Sequence, residues 1–497
     1  MNKSNSKNSY GAYGIILTVI VLLTAIAINL LFSLLPDSIK RIDVSTEKLT
    51  EVSDAAKKHL SENLDSNVYM YLVAESGMED KSVNEFLKNL AKANSKIKFT
   101  ALDPTVKRSF IEKLIGESPD ELADNTIIIQ GQKYGTVKAV APETLYTYEA
   151  FIINTESESF ESYGEYSYSE FVSLYTSMAD YFESGYAYYE TKFGGETTLI
   201  SSIDYVTTDP KNMPKVYFTT MHGETAATES LADLLNLSNL PADWVTLSKK
   251  LPDDAGAIVM NVPITDITEN EAKILEDYLS GGGKLVLTTS HTYISSLKNL
   301  SALLEKYGMT AETNELHESN SAYFYPGYTH FILPATDTLS QLCGVENHYF
   351  LTSSAHAIKT NASLEDMRYT PLLQTTTGAY YEKNEEGEKS EKAQYSIAVS
   401  AVKKDAGEII WFAAPNILTD EDNTLTGGGN YSYFSALLAI LCEKESVSFA
   451  SKLLEEDVLT ISAGQASFWA IILIAVIPSI FVICGIVKVR KRRRGIA

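Results

Sequence analysis

Two histidines and one glutamate are the side chains of this sequence best suited to chemistry. His222 and Glu224 flank Gly223 in the stretch Met-His-Gly-Glu, and His291 follows further along the chain. Imidazole and carboxylate groups are suitable Zn²⁺ ligands, and they can also hold a small polar molecule. In a tight turn the same groups can simply cap the next helix. This candidate ligand-facing turn is therefore open to three interpretations, a metal site, a small-ligand site or a structural cap, of which we favour the cap.

The usual signatures of catalysis are missing from the sequence. It contains no phosphate-binding loop of the form G-x-x-x-x-G-K-[ST] and no G-x-S-x-G nucleophile elbow. Neither Cys343 nor Cys442 follows a predicted strand of the central unit, which removes the simplest cysteine-nucleophile mechanism. We therefore assign no catalytic residue, no metal and no cofactor, and we expect that the protein is not an enzyme.

The candidate residues lie just beyond the ends of predicted strands. Short β-branched and aromatic runs at 215–220, 257–262 and 284–289 are typical of strands buried on both faces. Segments with apolar residues at helical spacing separate them, and Thr268 and Glu271 have the spacing of a capping box. The pattern predicts a doubly wound, mostly parallel α/β sheet, a fold that usually binds ligands beyond the carboxyl ends of its strands.

A smaller α/β unit precedes the central one. The sequence predicts a helix capped by Ser53, then strands at 68–73 and 97–102 separated by a helix at 82–93. Two more strands are expected on either side of residues 131–132, a Gly-Gln pair suited to a two-residue hairpin turn. This unit is therefore predicted to be α/β with an antiparallel edge.

Two later regions differ in character from these units. Residues 146–189 contain ten tyrosines interleaved with Glu, Ser and Gly. Exposed tyrosines can stack on sugar rings or contact a partner protein, but a polar loop with a helix near 171–181 can also pack them, and we favour the packing. Short alternating runs at 328–333, 394–402 and 408–413 predict antiparallel strands added to the central sheet.

Two long apolar stretches predict membrane spans. Residues 15–35 and 468–487 comprise 21 and 20 residues without a charged side chain, and a spanning helix needs about 20. The first stretch exceeds the usual apolar core of a signal peptide, and Pro36 follows it in place of a clear cleavage site. We therefore predict an uncleaved anchor there and a second anchor near the other end.

The flanking charges predict the orientation of both anchors. Residues 488–494 contain six Lys and Arg, and Lys3 and Lys7 precede the first span, so both termini are expected in the cytoplasm. The protein is thus predicted to be a two-pass protein of the cell membrane with an extracytoplasmic ectodomain at 36–467. The predicted divisions are a cytoplasmic N-terminus 1–14, a span 15–35, an N-terminal α/β unit 36–145, a Tyr/Glu-rich insertion or linker 146–193, a central α/β unit 194–445, a juxtamembrane linker 446–467, a span 468–487 and a basic tail 488–497.

The predicted ectodomain is strongly acidic. Of the 41 Lys and Arg in the chain, eight lie outside residues 36–467, whereas all 64 Asp and Glu lie inside, which leaves a net charge of −31. Such a field disfavours nucleic acid and anionic lipid as partners and is compatible with cations, cationic peptides or plain solubility. Cys343 and Cys442 can pair only if the fold brings them together, and two thiols do not define a disulfide framework.

Several motifs, in their order along the chain, resemble the GldG-type auxiliary subunits of ABC transport systems, a family first associated with gliding motility. The resemblance spans nearly the whole chain, and it rests on the order of motifs that are individually weak. They are DVSTEKLTEVSDAAKKHLSENLDSNVYMYLV at 43–73, GGETTLISSIDYVTT at 194–208, PKVYFTTMHGE at 214–224, ITENEAKILEDYLSGGGKLVL at 267–287, TPLLQTTTGAYYE at 370–382, GEIIWFAAPN at 407–416 and the closing span with its Arg-rich tail.

This resemblance implies a non-catalytic accessory subunit of an ABC-type exporter. Its partners would be a permease and a cytoplasmic ATPase on separate chains, because two spans are too few for a translocation path. The sequence departs from the family at Met221, which stands where the family's Gly-His-Gly-Glu turn has its first glycine, and in the Tyr-rich stretch. The competing hypothesis is a membrane-anchored extracytoplasmic hydrolase or metalloenzyme that acts on envelope polymers. The sequence does not indicate the transported substrate.

Overall fold

The computed structural model describes residues 49–454 except 155–158, 346–348, 384–387 and 445–446. The chain divides into one unit of residues 47–453 and one of the two terminal stretches, and both predicted spans lie outside the described residues. In the described part, every helix is too short or too polar to cross a membrane. This part is a mixed α/β structure with several sheets, which confirms the predicted fold class at that level.

The N-terminal unit contains the predicted βαβ motif. Its elements are α1 Asp54–Asn63, β1 Val68–Val73, α2 Lys81–Ala93, β2 Ile97–Leu102, α3 Arg108–Ile115, β3 Thr126–Gly131 and β4 Val137–Val140. β1 pairs parallel with β2 and antiparallel with β3, so the strand order is β2-β1-β3-β4. The Ser53 side chain accepts the Ala56 N–H, as the predicted N-cap of α1. Apolar residues of α2 fill the core behind the sheet.

The predicted two-residue hairpin in this unit is wrong. Gly131 is the last residue of β3, and its N–H bonds to the Thr136 carbonyl across a loop of residues 132–136. Gly135, at φ 75°, supplies the left-handed residue that turns the chain. Gly131 is glycine for a different reason, because a Cβ there would lie 2.0 Å from the carbonyl oxygen of Val206.

The prediction of a polar loop is wrong for the Tyr-rich stretch, which forms a small sheet with two helices on one face, although helix is present near 171–181 as predicted. Its elements are β5 Tyr146–Asn154, β6 Ser159–Ser167, α4 Tyr168–Ser177, α5 Ala179–Glu183 and β7 Ala187–Phe193, joined at the edge by β23 Lys452–Leu453 in the order β23-β7-β5-β6. Phe171 and Leu174 of α4 pack on Ala150 and Tyr166 of the sheet. Part of the tyrosine content therefore packs inside the unit.

The central sheet has ten strands, with a parallel half and an antiparallel half. The parallel half is ordered β22-β11-β10-β8-β9, and β21, β18, β12, β19 and β16 extend it. Helix α6 Gly195–Thr207 comes before the central sheet and packs in the core of the N-terminal unit. The elements of the central unit are β8 Lys215–Thr220, α7 Glu229–Leu237, β9 Ala242–Thr246, β10 Ala255–Asn261, α8 Glu269–Ser280, β11 Lys284–Thr288, α9 His291–Ile294, α10 Lys298–Lys306, β12 Met309–Ala311, β16 Thr336–Asp337, α11 Thr338–Cys343, β18 Ile358–Thr360, β19 Met367–Gln374, β21 Ser396–Lys403, β22 Glu408–Phe412, α12 Asp420–Leu425 and α13 Gly429–Leu441. Two smaller sheets hold β13 Leu316–His317 with β20 Tyr380–Tyr381, and β14 Phe324–Tyr325, β15 Tyr328–Ile332 and β17 Thr352–Ser353.

Both faces of the parallel half are buried along β8, β10 and β11, as the apolar runs predict, whereas the edge strand β9 is largely exposed. Along β10, Ala257 and Val259 point into one core, and Ile258 and Met260 point into the other. Helices α7 and α13 contribute to the first core, and α8 and α10 contribute to the second. The sheet is therefore covered by helices on both sides.

One strand of the added region is not the antiparallel decoration that its sequence suggests. β22 follows the antiparallel strand β21 through a turn at Asp405, so it runs back in the direction of β11 and pairs parallel with it. It completes the parallel half as its fifth strand. The first strand of this half is β8, with β9 beside it on one side and β10 on the other. The strand order therefore reverses between β8 and β10, and such a reversal is a topological switch point.

Candidate functional site

The turn after β8 buries His222 and exposes its neighbour. Met221 has φ 91° and Gly223 has φ 72°, so two residues in the left-handed region bend the chain sharply. The His222 carbonyl accepts the N–H groups of Ile264 and Thr265, both at 2.9 Å, which ties the turn to the loop after β10. As a result, the His222 side chain is buried whereas Met221 is 80% exposed.

His222 lies between two carboxylates. Its Nδ1 is 3.1 Å from Glu224 Oε1, and its Nε2 is 3.3 Å from Glu271 Oε2. Glu224 also accepts the His222 N–H at 2.7 Å and the Thr219 hydroxyl at 2.9 Å. Both ring nitrogens of His222 therefore lie beside a carboxylate oxygen, and the polar atoms of the turn are used inside the protein.

Glu271 is the member of this group that sequence reasoning placed only in a helix cap. Its Oε2 accepts the Thr268 N–H at 2.7 Å, while the Thr268 hydroxyl accepts the Glu271 N–H, which confirms the predicted capping box. Burial by itself raises the pKa of Glu271, but the bonds from Thr268 and the contact with His222 outweigh it and lower that pKa. The capping residue thus has a second contact, with His222, that links α8 to the turn after β8.

His291 lies apart from this group. It begins α9, and its Nδ1 is 3.3 Å from the Ser354 carbonyl. Among the described residues, no hydrogen bond or ion pair joins it to His222 or Glu224. The structure therefore brings together two of the three predicted side chains and separates the third.

A buried histidine that the sequence analysis missed lies near His291. His356 Nε2 is 2.8 Å from the Thr289 hydroxyl, which also accepts the Trp411 indole N–H at 2.7 Å. Burial lowers the pKa of His356 to about 3, so the ring is neutral at physiological pH. Its position between Ala355 and Ala357, both buried, is the sequence signal of a core histidine.

A pocket of about 140 Å³ opens at the switch point between β8 and β10. Its wall includes Met221, Gly223, Glu224, the exposed Trp244 and Asn261. Glu224 is already bonded to His222 and Thr219. The Asn261 amide donates to the Thr225 carbonyl at 2.9 Å and accepts the Thr288 hydroxyl hydrogen bond at 2.7 Å. The pocket therefore offers contact surface and an aromatic wall, and its Glu224 and Asn261 side chains are already hydrogen-bonded within the protein.

The described residues offer neither a metal cluster nor a reactive thiol. Across 49–454, outside the gaps, no group of three or more His, Cys, Asp or Glu is arranged to hold a metal ion. Cys343 and Cys442 are both free rather than paired. Burial raises the pKa of Cys343 to about 12 and that of Cys442 to about 11, so neither thiol is activated as a nucleophile.

Replacing Met221 by glycine is expected to stabilise the protein by about 1 kcal/mol. A non-glycine residue in this backbone region costs about 1–3 kcal/mol, and part of the relief is offset by the greater chain entropy of glycine. Because Met221 is 80% exposed, its removal costs little packing. The measurement is the denaturant midpoint of the full-length protein in detergent micelles. Met78, 72% exposed and outside the left-handed region, is the matched control, and an equal gain from Met78→Gly would contradict the explanation.

Comparisons with known proteins leave the family undecided. No protein-family model matches the sequence, and no curated protein matches it. The chain is similar to the solved mmIFT52 N-terminal domain, at 14% identity over 47% of this chain and 100% of that chain, with a TM-score of 0.37. It is also similar to a ThuA-like protein from Bacteroides uniformis, at 14% identity over 46% of this chain and 92% of that chain, with a TM-score of 0.27. A third similar structure is exo-beta-1,4-mannosidase Op5Man5 from Opitutaceae bacterium strain TAV5, at 12% identity over 45% of this chain and 36% of that chain, with a TM-score of 0.28. At such TM-scores these likenesses carry no functional argument.

Proposed function

We propose that this protein is a non-catalytic accessory subunit of an ABC-type export system. Its extracytoplasmic domain would dock on a separate permease, and a separate cytoplasmic ATPase would supply the energy. The ordered motifs that resemble GldG-type subunits, the two predicted spans and the missing phosphate-binding loop all support this proposal. Binding of the substrate or of an envelope component by the same domain would fit this role.

The observation that carries the proposal is the meeting of the two ends of the described domain. The Lys452 ammonium donates to the Glu51 carbonyl, and β23 pairs with β7 at Phe193. Just before β23, the Phe449 N–H donates to the Thr197 hydroxyl at 2.9 Å. The chain therefore enters and leaves the domain at one place, which suits a domain with an anchor at each end in one membrane.

The internal bonding of the candidate site supports a non-catalytic role. A general base must be free to take a proton from a substrate. Glu224 is instead engaged by His222 and Thr219, and its side chain is 4% exposed. A hydrolase or metalloenzyme on this fold would need a second set of groups, and no observation favours that alternative.

Topology provides the first test of this role. Protease added to intact wall-stripped cells is expected to degrade residues 36–467 and to spare a tag attached at Ala497, because the basic residues at 488–494 hold that end inside. Immunoblots against the tag and against the ectodomain provide the measurement, with a cytoplasmic protein as the control for intact membranes. Loss of the tag in intact cells would overturn the topology and the accessory-subunit role together.

The partner test uses the full-length protein. Purification in mild detergent is expected to recover a multi-span permease and an ATPase with it. The contrary result is turnover of an envelope polymer by the purified protein that Glu224→Gln abolishes. That substitution keeps the shape of the side chain but replaces one of its two acceptor oxygens by a donor. An unchanged circular dichroism spectrum of the variant is therefore needed to show that the loss is chemical.

A further inference from the structure

Within the part of the chain that the structure describes, the small sheet of β5, β6 and β7 has helices packed on one face and an open second face. Side chains alternate between the two faces along each strand. Tyr148 and Tyr189 lie on the covered face, where both rings contact Phe171 of α4 at 4.6 Å between centroids. The residues between them in the strands point the other way. These outward residues form the surface that we call the open face.

An aromatic row crosses the open face. Phe151 of β5 is the register partner of Tyr188 of β7, and their rings are stacked at 4.8 Å. Phe160 of β6 meets Tyr188 edge to face at 4.9 Å. Phe160 is 42% exposed and Tyr188 is 40% exposed. Aromatic rings held together at the surface in this way are typical of protein contact sites.

A carboxylate row lies beside the aromatic row. Glu190, Glu149 and Glu165 are register partners across β7, β5 and β6 on the same face. Lys192 contacts Glu149 at 2.7 Å and Glu165 at 2.9 Å, which leaves three carboxylates facing one lysine. Glu149 and Glu165 also accept hydroxyl hydrogen bonds, from Ser162 and Thr147, so Glu190 is the carboxylate of this row best placed to pair with a further cation.

The surrounding sequence adds negative charge and no positive charge. Between Lys138 and Lys192 the chain contains ten Asp and Glu and no Lys or Arg. The one concentrated basic run of this chain, at 488–494, is predicted on the cytoplasmic side of the membrane. Nucleic acid and anionic lipid would be repelled by this region. The chemistry that complements it is positive charge from another molecule.

We propose that the open face binds a Lys- or Arg-bearing segment of another protein. A cation can lie over the Tyr188 ring while a second cation pairs with the carboxylate row. The two rows are two residues apart along the strands, about 7 Å. An extended segment presents the side chains of residues i and i+2 at the same spacing. This proposal goes beyond the export role and does not depend on it, because it concerns a surface and its chemistry rather than the permease.

The experiment is a binding titration of the full-length protein in uncharged detergent. The probe is a fluorescent octapeptide of alternating glycine and arginine, and the matched probe has citrulline, a neutral isostere, at each arginine. The arginine peptide is expected to bind and to outcompete the citrulline peptide. Its binding should weaken when the salt concentration rises from about 50 mM to about 500 mM. Equal binding of the two peptides, or no binding, would overturn the proposal.

Single substitutions locate the binding on the open face. Tyr188→Ala is expected to weaken it about three- to fivefold, and Tyr188→Phe should largely retain it, since the ring face remains. Glu190→Gln should weaken it about twofold at low salt and less at high salt. Tyr328→Ala and Glu183→Gln, at an exposed tyrosine and a glutamate outside the two rows, are the controls and should leave binding unchanged.

Two outcomes separate this proposal from its rivals. Equal losses from Tyr188→Ala and Tyr328→Ala would show non-specific attraction to an acidic protein and overturn it. Competition by free arginine or spermidine at the concentration of the peptide would identify a small-cation site and overturn the protein partner. Failure to recover a permease would defeat the proposed export role but leave this result intact, so the two failures are distinguishable.

Discussion

Replacing His222 by alanine is expected to destabilise the central domain by about 3 kcal/mol. The substitution would leave Glu224 and Glu271, with side chains 4% and 18% exposed, without the imidazole ring that contacts both of them. Removing one partner of a buried ion pair typically costs about 3–5 kcal/mol, because the remaining charge stays desolvated. We choose the lower end of that range since both glutamates keep other hydrogen bonds. Chemical denaturation followed by tryptophan fluorescence gives the measurement, because Trp411 is buried in the same core.

His59 offers a matched control in the same chain. It contacts Asp204 at 2.8 Å, but the two side chains are 21% and 35% exposed. An ion pair that water reaches contributes about 1 kcal/mol or less, so His59→Ala should cost far less than His222→Ala. Similar losses from both substitutions would show that burial of the pair is not the cause. In that case the contacts of His222 would not be the structural link that we describe.

Replacing Gly131 by alanine is expected to destabilise the N-terminal unit by about 3 kcal/mol. The added Cβ would lie 2.0 Å from the Val206 carbonyl oxygen, a distance at which either β3 or α6 must move. Overpacking of a tight core costs about 1–3 kcal/mol, and contact with a backbone atom falls at the upper end because no side chain can rotate away. Hydrogen exchange of β1 and β3 measures the effect, since these strands lie in the core of that unit.

Gly135 in the following loop provides the control. It has φ 75°, and a Cβ there would meet nothing within 4 Å. Gly135→Ala should therefore cost about 1 kcal/mol from backbone strain alone. If Gly135→Ala speeds the hydrogen exchange of β1 and β3 as much as Gly131→Ala does, the close approach of Gly131 to α6 is not the cause of the destabilisation.

The sequence by itself determined several of the local elements. β1 and β2 have the predicted bounds, and the capping box at Thr268 and Glu271 begins α8. The alternating burial of β10 follows from an apolar run that can serve two cores. These features could be predicted because strand period and cap spacing are properties of short stretches of backbone. Both predicted spans remain predictions, since they lie outside the described residues.

The candidate site could be predicted only in part. His222 and Glu224 are two residues apart in one turn, so their proximity follows from the local sequence. The contact with Glu271 and the separation of His291 depend on how the loops after three strands fold over the sheet edge. A strand pattern shows that residues lie beyond strand ends, but it does not give the direction in which each loop turns.

Only the tertiary structure decided how distant parts of the chain meet. It placed β22 parallel to β11, brought Val206 against Gly131, and joined Lys452 to Glu51. It also set Glu190, Glu149 and Glu165 in one row, because strand register determines which residues lie opposite one another. Each of these contacts joins residues far apart in the chain, and their energies arise from packing and pairing that no local period of the sequence records.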